Sequence, residues 1–186
     1  VQHVYDITYG TVRPGEDTLV VIDDSIVRGT TLKESIIRML GRLKPKRIIV
    51  VSSSPQIRYP DCYGIDMSKM GDFIAFSAAI ELIKERKKTD YLKELWDKCK
   101  ELQRTNQLQA ENVVKQLYKQ FTTDEISNKI AQLITPAGLD IPVDVIFQSI
   151  EDLHKSCPNN LGDWYFTGNY PTPGGNKVVN KAFMNY

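Results

Sequence analysis

Two adjacent carboxylates, Asp23 and Asp24, stand in the stretch VVIDDSIVRGTT, residues 20–31, between a short β-branched run and a loop of small and hydroxylated residues. Like charges side by side repel, and one takes up a proton unless a cation or hydrogen-bond donors compensate. A hard cation such as Mg²⁺ does so, and a vicinal diol donating to both carboxylates does so as well. In the loop that follows, Ser25, Thr30 and Thr31 offer hydroxyls, Gly29 lets the backbone come close and Arg28 adds a positive charge. A loop of this kind that opens a helix holds phosphate, because unpaired N–H groups converge there and the helix dipole favours an anion. The pattern reads as a site for a sugar phosphate, hydroxyls toward the acids and phosphate in the loop. The bland alternative is a strand–turn–helix with an ordinary Ser or Thr cap. Such a cap requires neither Asp-Asp before the loop nor Gly-Thr-Thr after it.

The flanking residues must position this group. Residues 19–22 read as a strand buried in a parallel sheet, and Leu32, Ile36, Ile37 and Leu40 recur at helical spacing up to about Leu43, before Lys44-Pro45. Residues 47–53, RIIVVSS, read as a second buried strand, which makes a βαβ unit with parallel strands. Ligands of such sheets sit at the carboxyl ends of the strands, where Asp23, Asp24 and residues 52–54 all fall. Residues 55–70 form an irregular loop; its Arg58 is open to two readings, a solvated side chain or an anion contact. Residues 71–88 read as helix, and further stripes follow through Leu92, Leu95, Trp96, Cys99 and Leu102, and through Val113, Val114, Leu117 and Tyr118. Thr123 is the expected cap of a helix with Ile126, Ile130, Leu133 and Ile134 on its core face; a strand over 144–148 and a short helix capped by Ser149 come next. From residue 158 the chain is rich in Asn, Gly and Pro and reads as an irregular tail ordered by docking. Residues 1–12 admit a short strand or an ordered loop.

The 186 residues are 41% hydrophobic and carry a net charge of +1, enough for a globular α/β core and without the basic excess of a nucleic-acid binder. No apolar run is long enough to span a membrane, and three irregularly spaced cysteines suggest neither a disulfide framework nor a zinc site. A reduced, cytoplasmic setting is the simplest expectation.

A hydrophobic run, Asp-Asp and a Gly-Thr-Thr loop resemble the PRPP signature of type I phosphoribosyltransferases. The form DDSIVRGTT, followed by PQIRYPDCYGIDM at residues 55–67, resembles the amidophosphoribosyltransferase (glutamine phosphoribosylpyrophosphate amidotransferase) family in particular. The resemblance is specific over residues 19–75 and weaker near 143–150 and 165–172. It implies an α/β fold, the C-terminal half of a type I phosphoribosyltransferase: a parallel sheet with flanking helices, an inserted helical hairpin and the irregular tail. The implied division is a PRPP-binding core over 1–79 and 122–157, an insertion over 80–121 and the tail over 158–186. A glutaminase domain and the first half of the transferase domain are expected upstream, so that the isolated chain is expected to be inactive.

Carried over by position, Asp23 and Asp24 are the ribose and Mg²⁺ carboxylates, and Ser25, Ile26, Val27, Arg28, Gly29, Thr30 and Thr31 form the phosphate cradle. The implied reaction is attack of glutamine-derived ammonia, supplied by a glutaminase domain of the same polypeptide, on PRPP. It gives phosphoribosylamine and pyrophosphate, the first step of purine synthesis, with no protein general base. Purine nucleotides as feedback inhibitors and a homo-oligomeric state are implied too; a nucleic acid or membrane partner is not. Some family members carry an iron–sulfur cluster, but Asp61, Gly162 and Tyr165 stand at the ligand positions here, and Cys62 is one residue off, so no cluster is expected. The competing expectations are a salvage purine or pyrimidine phosphoribosyltransferase and a non-catalytic PRPP sensor. Valine at Gly29 is expected to abolish phosphate binding and leave the fold largely intact.

Overall fold

The computed structural model describes residues 10–62, 67–159 and 162–186. The segment Tyr63-Gly64-Ile65-Asp66 and the reading of the first nine residues lie outside the described residues. Three parallel strands, β1 (Thr18–Asp23), β2 (Arg47–Ser52) and β3 (Val143–Phe147), form one sheet in the order β1-β2-β3. Val21 pairs with Val50 and Val50 with Val145, so the three carboxyl ends lie side by side. The loops behind them are tied together as well: Ser53 N–H donates to Asp23 O (2.9 Å) and Gln148 N–H to Ser52 O (3.2 Å).

Helix α1 follows β1 and is wound in two ways, as a π-helix over Leu32–Ile37 and as an α-helix over Arg38–Gly41. The wider winding brings residues five apart toward one face, and Leu32 and Ile37 are both buried. A short 3₁₀ turn, Met70–Asp72, leads into α2 (Ile74–Glu85); α3 (Thr89–Arg104), α4 (Val114–Tyr118) and α5 (Thr123–Ile134) follow. Helix α5 packs against α2, β3 and the start of α1, while α3 and α4 pack against the last helix of the chain, Pro173–Met184. The expected boundary between residues 79 and 80 falls inside α2, whose Ala78, Ala79, Ile80 and Ile83 are all buried.

Ile48, Val50 and Val145 are buried on the sheet face that meets these helices. On the other face, Val20, Ile22 and Ile146 are 58%, 75% and 53% exposed. Among the described residues β1 is an edge strand, and the strand expected to be buried over 19–22 is open on one face. Among the described residues no helix is long and apolar enough to cross a membrane.

Two expectations are corrected. Thr122, not Thr123, caps α5: its Oγ1 accepts from Glu125 N–H (3.1 Å) while Glu125 Oε2 accepts from Thr122 N–H (2.8 Å), a reciprocal capping box. The irregular tail is largely helical. After α6 (Ile150–Ser156), α7 (Trp164–Thr167) and α8 (Pro173–Met184) follow. Pro173 sits in the first turn of α8, where its missing N–H costs nothing, and Gly175 lies where a Cβ would come within 2.3 Å of the Tyr170 ring. Val179 and Phe183 turn into the core, and Asn180, fully buried, donates to Leu108 O and Glu111 O and accepts from Val113 N–H.

Candidate functional site

The strongest site begins where β1 ends. The chain leaves the sheet at Asp23, crosses residues 24–29 without regular structure and becomes helical at Thr30. Gly29 O accepts from Lys33 N–H (3.0 Å), closing the first turn, so the N–H groups just inside the helix have no partner within it. Ile26 is buried and anchors the loop, and Val27 O accepts from Ile74 N–H at the start of α2 (2.7 Å). Gly29 has φ of +70°. A Cβ there would lie 2.4 Å from Ile74 Cδ1 and 3.0 Å from Ile134 Cγ2. Glycine is therefore required by the side of the loop that seats on α2 and α5. This corrects the expectation for valine at 29: the clash strikes the fold first.

A cavity of about 510 Å³ opens over the loop, lined by Asp23 and residues 25–31 together with Leu32 and Met67. Eight of the nine expected site residues thus converge, namely Asp23, Ser25, Ile26, Val27, Arg28, Gly29, Thr30 and Thr31. Asp24 is exposed beside the cavity and is not among the lining residues. Thr30 and Thr31 are exposed, with no hydrogen bond from either hydroxyl to the protein among the described residues.

The acid pair is arranged asymmetrically. Asp23 is half-buried and accepts from Asp24 N–H (3.0 Å); Asp24 accepts from Ser25 Oγ (3.3 Å). Burial, with a smaller contribution from Asp24, pushes the Asp23 carboxyl above its usual range, although the Asp24 N–H works against this. Neither carboxylate has a cationic partner among the described residues. A compensating cation therefore fits this pair. Two carboxylates suit an ion that takes most of its oxygen ligands from a bound phosphate and water, as Mg²⁺ does.

Arg28 departs from the expected picture. Its Nη2 donates to Asp72 Oδ2 in the 3₁₀ turn (3.1 Å), so the guanidinium is braced across the surface. Asp72 and Met67 are the contributors missed by the motif: each is distant in sequence from residues 23–31, and no local spacing signals them. Residues 52–54 abut the Asp23 backbone and do not line the cavity among the described residues.

The positions that the resemblance compares with cluster ligands hold other chemistry. Tyr165 Oη donates to Asp61 Oδ1 (3.1 Å), and burial and Asp61 push the Cys62 thiol up, away from the thiolate that ligates metal.

No family model matches the chain. Curated relatives do. Over 70 residues, 38% of this chain, it is 41% identical to the amidophosphoribosyltransferase of Haemophilus influenzae and, over the same share, 39% identical to that of Escherichia coli. Over 74 residues, 40% of the chain, it is 43% identical to the amidophosphoribosyltransferase of Pyrococcus horikoshii. The matched stretches span only 14–16% of these relatives' own lengths. None of the three bears the name of a salvage transferase.

Proposed function

We propose that this chain is part of an amidophosphoribosyltransferase and carries the part of its site that binds the ribose 5-phosphate end of PRPP. The observation behind this reading is the cavity at the carboxyl end of β1, with a half-buried carboxylate at one side and a helix-opening loop with free threonine hydroxyls at the other. The similarity to amidophosphoribosyltransferases from bacteria and an archaeon supports it.

In this reading the 5′-phosphate accepts from the N–H groups and hydroxyls of residues 29–31. The ribose hydroxyls donate to Asp23, and Asp23 and Asp24 together would hold Mg²⁺. Bound there, Mg²⁺ would neutralise charge on the pyrophosphate as it leaves. The chain's own residues hold the sugar by both ends and place carboxylates where positive charge grows on the ribose as ammonia attacks C1. Arg28, held by Asp72, stiffens the loop instead of pairing with phosphate.

The test is calorimetric titration of ribose 5-phosphate into this chain with Mg²⁺ present, beside Asp23→Asn and Thr30→Val. Saturable binding weakened at least tenfold by either change is expected, about 1.4 kcal/mol or more. Unchanged affinity in both variants would remove the site assignment. Pyrophosphate release from PRPP and ammonium, by a polypeptide extended upstream toward the relatives' length, tests the activity itself.

A further inference from the structure

A second cavity, of about 350 Å³, lies between the carboxyl ends of β2 and β3 and the start of α5. It shares no lining residue with the cavity over the phosphate loop. Arg58 enters it fully fixed. The N–H groups of Arg58 and Tyr59 both donate to Tyr165 O (2.8 and 3.1 Å), and Arg58 O accepts from Tyr118 Oη (2.9 Å). Its Nε and Nη2 donate to Gln56 Oε1 (3.0 and 2.6 Å). Gln56 is itself buried, with Nε2 donating to Thr123 O and Ser127 Oγ (both 2.9 Å). The guanidinium lies over the Tyr118 ring, 5.2 Å from its centre.

All of these partners are neutral. Arg13, Arg28, Arg38, Arg47, Arg86 and Arg104 each meet a carboxylate, and Arg42, which does not, is exposed; Arg58 is half-buried and meets none among the described residues. A partly desolvated cation held only by neutral groups lacks compensation for its charge, and an anion supplies it. Nη1 makes no bond to the protein among the described residues, and the cavity it shares is walled by Pro55, Phe147 and Phe166. Asp124 also stands at this cavity, beyond ion-pair distance from Arg58, and disfavours a doubly charged ligand.

We propose that this cavity binds a small monoanionic carboxylate with an apolar body, its carboxylate on Arg58 and its body against Phe147 and Phe166. The site is independent of the ribose phosphate reading, and either can fail alone.

Benzoate is the probe, titrated into the full ¹⁵N-labelled chain and followed by NMR. The Arg58 Nε–Hε signal and the Thr123 and Gln148 amides are expected to shift saturably, while the Thr30 and Thr31 amides stay in place. Benzyl alcohol, of similar shape and uncharged, is expected to give no saturable shift. Arg58→Gln should weaken benzoate at least tenfold. Asp124→Asn, an exposed change that keeps the fold, should tighten it about threefold at low salt, since it removes a nearby like charge. Silence at Arg58, or equal affinity in wild type and Arg58→Gln, overturns the proposal. Should Arg58→Gln fail to fold, unchanged affinity in Asp124→Asn overturns it instead.

Discussion

At Asp23, binding chemistry and stability pull in opposite directions. Its carboxyl is raised above 3.8 in the folded chain, chiefly by burial, so the protonated form is the one the fold favours. The stability this confers is complete below 3.8 and is lost as pH rises through the folded value. In the ligand-free chain, Asp23→Asn should therefore raise the thermal midpoint at pH 7, with the gain shrinking toward zero as pH falls to 3.8. Melting curves across that range check it, and a gain that persists unchanged in acid would contradict the assigned cause. Gly29 makes the complementary case. Its positive φ and the 2.4 Å approach to Ile74 mean that Gly29→Val should cost about 1–3 kcal/mol in urea unfolding, before any loss of phosphate affinity is considered. A chain with an unshifted midpoint would show that the loop can move off α2.

Among the elements, α5 and α8 show what local reading can and cannot reach. The apolar stripe of α5 is visible in the spacing of Ile126, Ile130 and Ile134, and all three are fully buried. Its cap was legible to within one residue, because Thr122 and Thr123 are chemically alike and only the reach of Glu125 separates them. Thr122→Ala should cost about 1 kcal/mol, measured by denaturant unfolding. Helix α8 was obscured by composition. Pro173, Gly174, Gly175 and Asn180 look like loop residues, yet Pro173 sits in the first turn, the Tyr170 ring packs on Gly175, and the backbone between α3 and α4 satisfies Asn180. Asn180→Leu should leave two carbonyls and one N–H without their partner, at about 1–3 kcal/mol for each group that stays dry. Loss of amide-exchange protection at Val113 is the local readout.

For the whole molecule, the site was legible as far as it is local. Residues 23–31 are contiguous, so their chemistry could be read in a line and eight of them do line one cavity. The bracing of Arg28 by Asp72 and the fixing of Arg58 by Gln56 and Tyr118 depend on how α2, α4 and α5 are stacked, which no spacing encodes. The sheet face bearing Val20, Ile22 and Ile146 is apolar and open, and among the described residues β1 leaves its outer backbone groups without a strand partner. Such a face and edge favour association. Sedimentation of this chain should show mass rising with concentration, and Ile22→Lys should suppress the rise; identical behaviour of the two would place any association elsewhere.

The connection between β2 and β3 sets a timetable for assembly. β1, α1 and β2 are consecutive, so their contacts close short loops, whereas β2 ends at Ser52 and its other partner begins only at Val143. Closing that long span costs entropy before the β2–β3 pairing can repay it. β1, α1 and β2 can thus pair in an early local unit, while the phosphate loop takes its seat when α2 and α5 dock, and Phe147 reaches the Arg58 cavity only when β3 docks. During synthesis the direction of the chain imposes the same order: the phosphate loop emerges well before β3, the strand that pairs with β2 from the other side.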